Sequence, residues 1–85
     1  MADYELSNIY KDYADVWFEK ERVYGYVHTE EFVTKTDFEK DEIYTVDRWV
    51  PFVEEYGCHR IGRLTGYRTR QEALDYLSRY VKGEI

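Results

Sequence analysis

A chain of 85 residues has room for one core only, and 44 % hydrophobic with 19 % aromatic residues is too much apolar matter for a disordered chain, although 35 % of it is charged. The net charge of −6 opposes a polyanion as the partner of the chain as a whole. Met1-Ala2-Asp3-Tyr4-Glu5 lacks the segments of a secretory signal, no stretch approaches the ~18 apolar residues of a membrane span, and the lone Cys58 has no partner for an internal disulfide. The expectation is one domain over residues 1–85, cytoplasmic and off the membrane, as a monomer or homodimer.

Taken in chain order, the first segment reads as a helix. Leu6, Ile9, Tyr10, Tyr13, Val16 and Trp17 share one face at helical spacing, while Ser7, Asn8, Lys11, Asp12, Asp15 and Glu19 occupy the other. Val16, Trp17 and Phe18 also favour strands, which leaves a hairpin from Ala14 to His28 as the alternative, with Lys20-Glu21 as poor turn chemistry for it. β-branched and aromatic runs then predict strands over 22–28, 31–34, 43–50 and 58–64. Thr36-Asp37-Phe38-Glu39 has the spacing of a capping box and predicts a helical turn or tight loop over 36–42. Tyr56-Gly57 marks a turn, and Pro51, which has no N–H to give a ladder, marks a sheet edge or a bulge. Thr69-Arg70-Gln71-Glu72 is a second capping box. Behind it Ala73, Leu74, Leu77, Tyr80 and Val81 form a stripe and Gly83 supplies a stop, so a helix is predicted over 70–82. The predicted class is α+β: a small antiparallel sheet of three to four strands with an N-terminal and a C-terminal helix.

Little in the chain is arranged for catalysis. The nucleophiles Cys58, Ser7 and Ser78 need a base, and the histidines are His28 and His59. Cys58 and His59 adjoin in a predicted strand, so their side chains point to opposite faces, and Cys58 reads as a buried structural thiol. There is no Cys-x-x-Cys, no calcium-loop order in the acidic run, and no phosphate loop, because the five glycines stand singly. No cofactor, no metal and no enzyme activity are expected.

Charge points instead to binding. Residues 1–42 carry twelve acids against five bases, residues 43–85 six against seven, and the window 56–71 has no acid but four arginines. The acidic candidates are Glu30, Glu31, Asp37, Glu39, Asp41 and Glu42, with exposed tyrosines as anchors. Carboxylates on a rigid surface stand in for phosphates, and steer a molecule toward the basic groove of a nucleic-acid-handling enzyme. In size, acidity and aromatic content the chain resembles small phage-encoded inhibitors of bacterial defence, the anti-restriction and anti-CRISPR proteins. That resemblance implies a nucleic-acid mimic that occupies the nucleic-acid path of a protein target.

The alternative is direct nucleic-acid binding by Arg60, Arg63, Tyr67, Arg68 and Arg70, a basic strip with an aromatic for stacking beside a helix N-terminus. A helix, a set of strands and a second helix that starts among basic residues resemble the layout of double-stranded-RNA-binding domains, with Arg68, Arg70 and Ala73 where their second helix has basic residues and alanine, and strands followed by such a helix resemble the N-terminal DNA-binding domains of some phage integrases. Gln71, Glu72 and Asp75 depart from the former pattern. A third arrangement docks the basic strip of one copy on the acidic face of another, and would weaken as salt rises.

Overall fold

The computed structural model describes residues 4–85. Five strands follow one another across one antiparallel sheet in chain order: β1 (Glu5–Tyr10), β2 (Tyr13–Phe18), β3 (Val23–Asp37), β4 (Glu42–Glu54) and β5 (Cys58–Arg60). A single helix, α1 (Arg70–Val81), ends the described fold.

The expected N-terminal helix is therefore replaced by a hairpin, and the sheet has five strands rather than three or four. Leu6 pairs with Val16 and Ser7 with Asp15, and β2 in turn pairs along its whole length with β3, from Tyr13 opposite His28 to Phe18 opposite Val23. The helical spacing of Leu6, Ile9, Tyr13 and Val16 loses to a period of two in β2, where Ala14, Val16 and Phe18 are fully buried and Tyr13, Asp15 and Trp17 point the other way. Long-range pairing overrides weak local preference. The alternative reading, a hairpin between Ala14 and His28, is the one adopted. Its turn closes with Arg22 N–H on the Glu19 carbonyl at 3.3 Å and Arg22 in the left-handed region at φ 56°.

The runs 22–28 and 31–34 fuse into one fifteen-residue strand, and β4 runs on through Pro51. Pro51 is not at the sheet edge, yet its place follows from its missing donor. Its carbonyl accepts from Ile61 N–H at 3.1 Å on the β5 side, so the absent N–H would face that same side. The β5 ladder stops at Arg60, where that donor would be required. Residues 62–66 loop out, and Tyr67 returns to exchange two backbone hydrogen bonds of 2.7 Å with Trp49. Residues 36–42 take the tight-loop form of the two expected, not the helical turn, and make the end of the β3–β4 hairpin: Asp37 Oδ1 accepts from the N–H groups of Glu39 (3.1 Å) and Lys40 (3.2 Å).

The C-terminal helix forms as the sequence predicts. The Thr69 hydroxyl accepts from Glu72 N–H at 3.2 Å, and Gly83 adopts φ 77° just beyond the last turn. Ala73, Leu74 and Leu77 pack on Ala14, Val16, Phe18, Val27 and Val53 from one face of the sheet. Gly25 permits the approach, since a Cβ there would meet the Phe52 carbonyl at 2.7 Å and a Leu77 methyl at 3.0 Å. The chain extends 53 × 24 × 24 Å, with a radius of gyration of 14.9 Å. A compact chain of this length would have about 12 Å. The excess comes from the outer half of β3 and β4. From Val33 opposite Thr45 to Asp37 opposite Glu42, neither strand has another neighbour in the sheet.

Candidate functional site

Because α1 covers one face of the sheet only, the alternation in β2–β4 delivers a second set of side chains to an open face. Tyr13, Asp15 and Trp17 from β2 lie beside Tyr24, Tyr26 and His28 from β3 and Phe52 and Glu54 from β4. The rings form a cross-strand ladder: Tyr10 to Tyr13 at 6.2 Å, Tyr13 to Tyr26 at 5.6 Å, and Tyr26 to Phe52 at 4.7 Å and 5° between planes. Trp17 and Tyr24 make a separate pair at 4.3 Å. Such cross-strand aromatic contacts stabilise a sheet by about 0.2–1 kcal/mol each. Composition suggested exposed tyrosines without placing them. The period of two in Tyr13-x-Asp15-x-Trp17 and Tyr24-x-Tyr26-x-His28 is the signal that locates them.

Asp15 is the hub of the open face. Its Oδ2 accepts from Asn8 Nδ2 at 2.8 Å and its Oδ1 from the Tyr13 hydroxyl. That bond, with burial second, pushes the Tyr13 pKa from 10.0 to about 12. Asn8 reaches Asp15 from a left-handed position, φ 48°, at the irregularity in β1. Burial raises the Tyr26 hydroxyl as well. Cys58, expected as a buried thiol, is exposed on this face across from Glu54.

The structure divides the six acidic candidates. Glu30 lies inside the body of the sheet, 3.2 Å from His28 Nε2 and 3.3 Å from Arg60 Nη1. Its charge is already matched. Asp37 is occupied with closing the hairpin end. Glu31, Glu39, Asp41 and Glu42 are exposed on the hairpin, with Glu42 accepting from the Tyr44 hydroxyl. Two acid pairs sit directly across the ribbon, Glu31 opposite Asp47 and Asp37 opposite Glu42, an arrangement that disfavours the ribbon on its own. Around these acids Val33, Phe38, Ile43 and Tyr44 are 64, 90, 67 and 42 % exposed. A two-stranded ribbon with neither face covered is marginal in water, and clustered exposed apolar side chains mark an interaction surface.

The basic strip is dispersed by the fold. Arg60 lies along the open face, bound to Glu30, donating to the Leu64 carbonyl and resting 5.5 Å over the Phe32 ring. Tyr67 is buried in the core rather than free to stack. Arg63 leans on Tyr67 at 5.2 Å and Arg70 on Trp49 at 5.9 Å, whereas Arg68 is exposed at the start of α1.

His59 points away from Cys58, with Nε2 4.0 Å from Glu55 Oε2, and His28 is turned to Glu30. Among the described residues no three His, Cys, Asp or Glu side chains are grouped to hold a metal ion, and no helix is long and apolar enough to cross a membrane. No protein-family model, no curated protein and no solved structure matches this chain.

Proposed function

We propose that the protein is a non-enzymatic binding module that inserts the outer β3–β4 hairpin into a basic protein surface. The observation that carries this reading is the hairpin itself. Thirteen residues, 33–45, stand clear of the rest of the sheet, with apolar side chains uncovered and unneutralised acids facing one another. Burial of Phe38, Val33 and Ile43 would supply the hydrophobic part of an interface, and basic groups of the partner would relieve the acid pairs. A basic groove that normally holds nucleic acid fits this chemistry best, so the module acts as an inhibitor that occupies the nucleic-acid path of a nucleic-acid-handling enzyme or complex in the cytoplasm. Anti-CRISPR and anti-restriction inhibitors of phage work in this general manner. Support for nucleic-acid binding by the strip itself is narrower, because Arg60, Tyr67 and Arg70 already have partners inside the fold.

The test is capture from host lysate with two baits, the native chain and the variant Glu31→Lys/Glu39→Lys/Asp41→Lys, which leaves Asp37 in place to close the hairpin. A nucleic-acid-handling enzyme retained by the native bait, lost by the variant and displaced by added nucleic acid is the expected result. Equal retention by both baits overturns the reading. A gel shift with RNA and DNA at low salt, positive for the native chain and lost in Arg63→Glu/Arg68→Glu, would replace it with the nucleic-acid alternative.

A further inference from the structure

A recess of about 500 Å³ opens on the aromatic face, lined by Ser7, Asn8, Tyr13, Asp15, Tyr24, Tyr26 and Glu54, with Gly25 and Cys58 completing it. Its chemistry is one-sided. Two carboxylates, Asp15 and Glu54, and three tyrosines contribute to it, and no Lys, Arg or His lines it. The hydrogen bonds around Asp15 increase the bias. The Asn8 amide N–H and the Tyr13 hydroxyl proton are already given to Asp15, so the Tyr13 oxygen is left to the recess as an acceptor. What such a lining lacks is a cation with several donors and a flat apolar surface.

We infer that this recess receives the guanidinium of an arginine side chain presented by a protein partner. Five N–H donors in a plane suit a set of carboxylate and phenol oxygens, and a guanidinium is weakly hydrated and stacks on aromatic rings where a compact ammonium does not. Tyr24 is more than half exposed and Glu54 is exposed, so the side chain enters from solvent without displacing the core. Asp15 is fixed from two sides before the ligand arrives, which reduces the ordering that binding would otherwise cost. The site stands apart from the outer hairpin, so an arginine contact here does not depend on what the hairpin meets.

The experiment is an amide-NMR titration of the full chain with N-acetyl-arginine amide, in parallel with the lysine and norleucine counterparts and with free arginine. Saturable shifts centred on residues 13–15, 24–26 and 54 are expected with the blocked arginine. The lysine compound should bind more weakly by on the order of threefold, and norleucine should not bind. Free arginine should also be weaker, because its α-carboxylate would face Asp15 and Glu54. Glu54→Gln, at an exposed position that leaves the fold intact, should lower the affinity by about the same factor or more. Absence of saturable shifts, equal response to norleucine, or unchanged affinity in Glu54→Gln overturns the site. Tighter binding of free arginine overturns the side-chain assignment in favour of the amino acid. The variant carrying Glu31→Lys, Glu39→Lys and Asp41→Lys should titrate like the native chain, which separates failure of this site from failure of the hairpin reading.

Discussion

β3 and β4 belong to two different structures. Over residues 23–28 and 52–54 they are the centre of a sheet, with β2 on one side, β5 on the other and a helix behind, where Val27 and Val53 are fully buried; over 33–45 the same two strands continue with nothing beside or behind them. The β3–β4 ladder runs through both, with a register shift between Val33 and Lys35, but in the body each of the two strands also bonds a further strand on its other edge. Side-chain burial separates the halves as well. The body derives its stability from apolar area removed from water, and the ribbon has almost none to draw on, so it persists as an extension of a sheet that is already folded.

The largest effect that separates the two regions is expected from truncating a phenylalanine in each. Phe18 is fully buried, with its ring 5.6 Å from that of Tyr4, and Phe18→Ala should cost about 3–5 kcal/mol in urea unfolding. Phe38→Ala, at the exposed hairpin end, should change stability by less than about 0.5 kcal/mol. A comparable loss in both would mean that the hairpin is packed in solution, against itself or a second copy. The helix should respond in between: Thr69→Ala, which removes the cap on Glu72 N–H, should cost about 1 kcal/mol.

Smaller and opposite in sign is the effect of relieving an acid pair. Asp47→Lys places a cation across from Glu31 and should stabilise the chain by roughly 0.2–1 kcal/mol while weakening capture of a basic partner. A variant more stable and equally competent in capture would detach the acids from binding. Hydrogen exchange offers a finer comparison, since amides of 33–45 should exchange through local opening well below the global unfolding free energy, and those of Val16, Val27 and Val53 close to it.

What the sequence disclosed follows the same division. The C-terminal helix was legible because its cap, stripe and glycine stop are all local. The N-terminal hairpin was not, because its outward side chains are Tyr13, Trp17, Tyr24 and Tyr26. With aromatics on both faces of a strand the alternation of polar and apolar vanishes, and a spurious helical spacing through Leu6, Ile9, Tyr13 and Val16 replaces it. The sequence divides β3 into two pieces because Thr29 and Glu30 look like a break. Glu30 is instead placed in the sheet by His28 and Arg60, thirty residues away in the latter case. The acid-rich hairpin could be seen in the charge count, but which acids stay unmatched could not. That depends on strand register and on a turn that consumes Asp37. The basic window was equally plain as composition, and the pairing of Trp49 with Tyr67 takes the tyrosine that lies among its arginines into the core.

The last contrast is a pH dependence that differs between the two regions. Tyr13 donates to Asp15 in the body and Tyr44 donates to Glu42 on the ribbon, and both hydroxyls are held above the usual tyrosine pKa, Tyr13 from 10.0 to about 12. An unfolded tyrosine titrates near 10. Below that pH the folded and unfolded chains both keep the proton, and the contribution of the Tyr13–Asp15 bond is fully present. Between 10 and 12 the unfolded chain releases a proton that the folded chain retains, so stability falls as pH rises and the contribution is gone above the folded pKa of about 12. Tyr26 and Tyr67, raised by burial, act in the same direction. Urea midpoints of the native chain should therefore decline through this window, and Tyr13→Phe should flatten the decline. Tyr44→Phe should leave it unchanged, because the ribbon opens without unfolding the body. If Tyr44→Phe flattens the decline as much as Tyr13→Phe does, the ribbon and the body unfold as one unit.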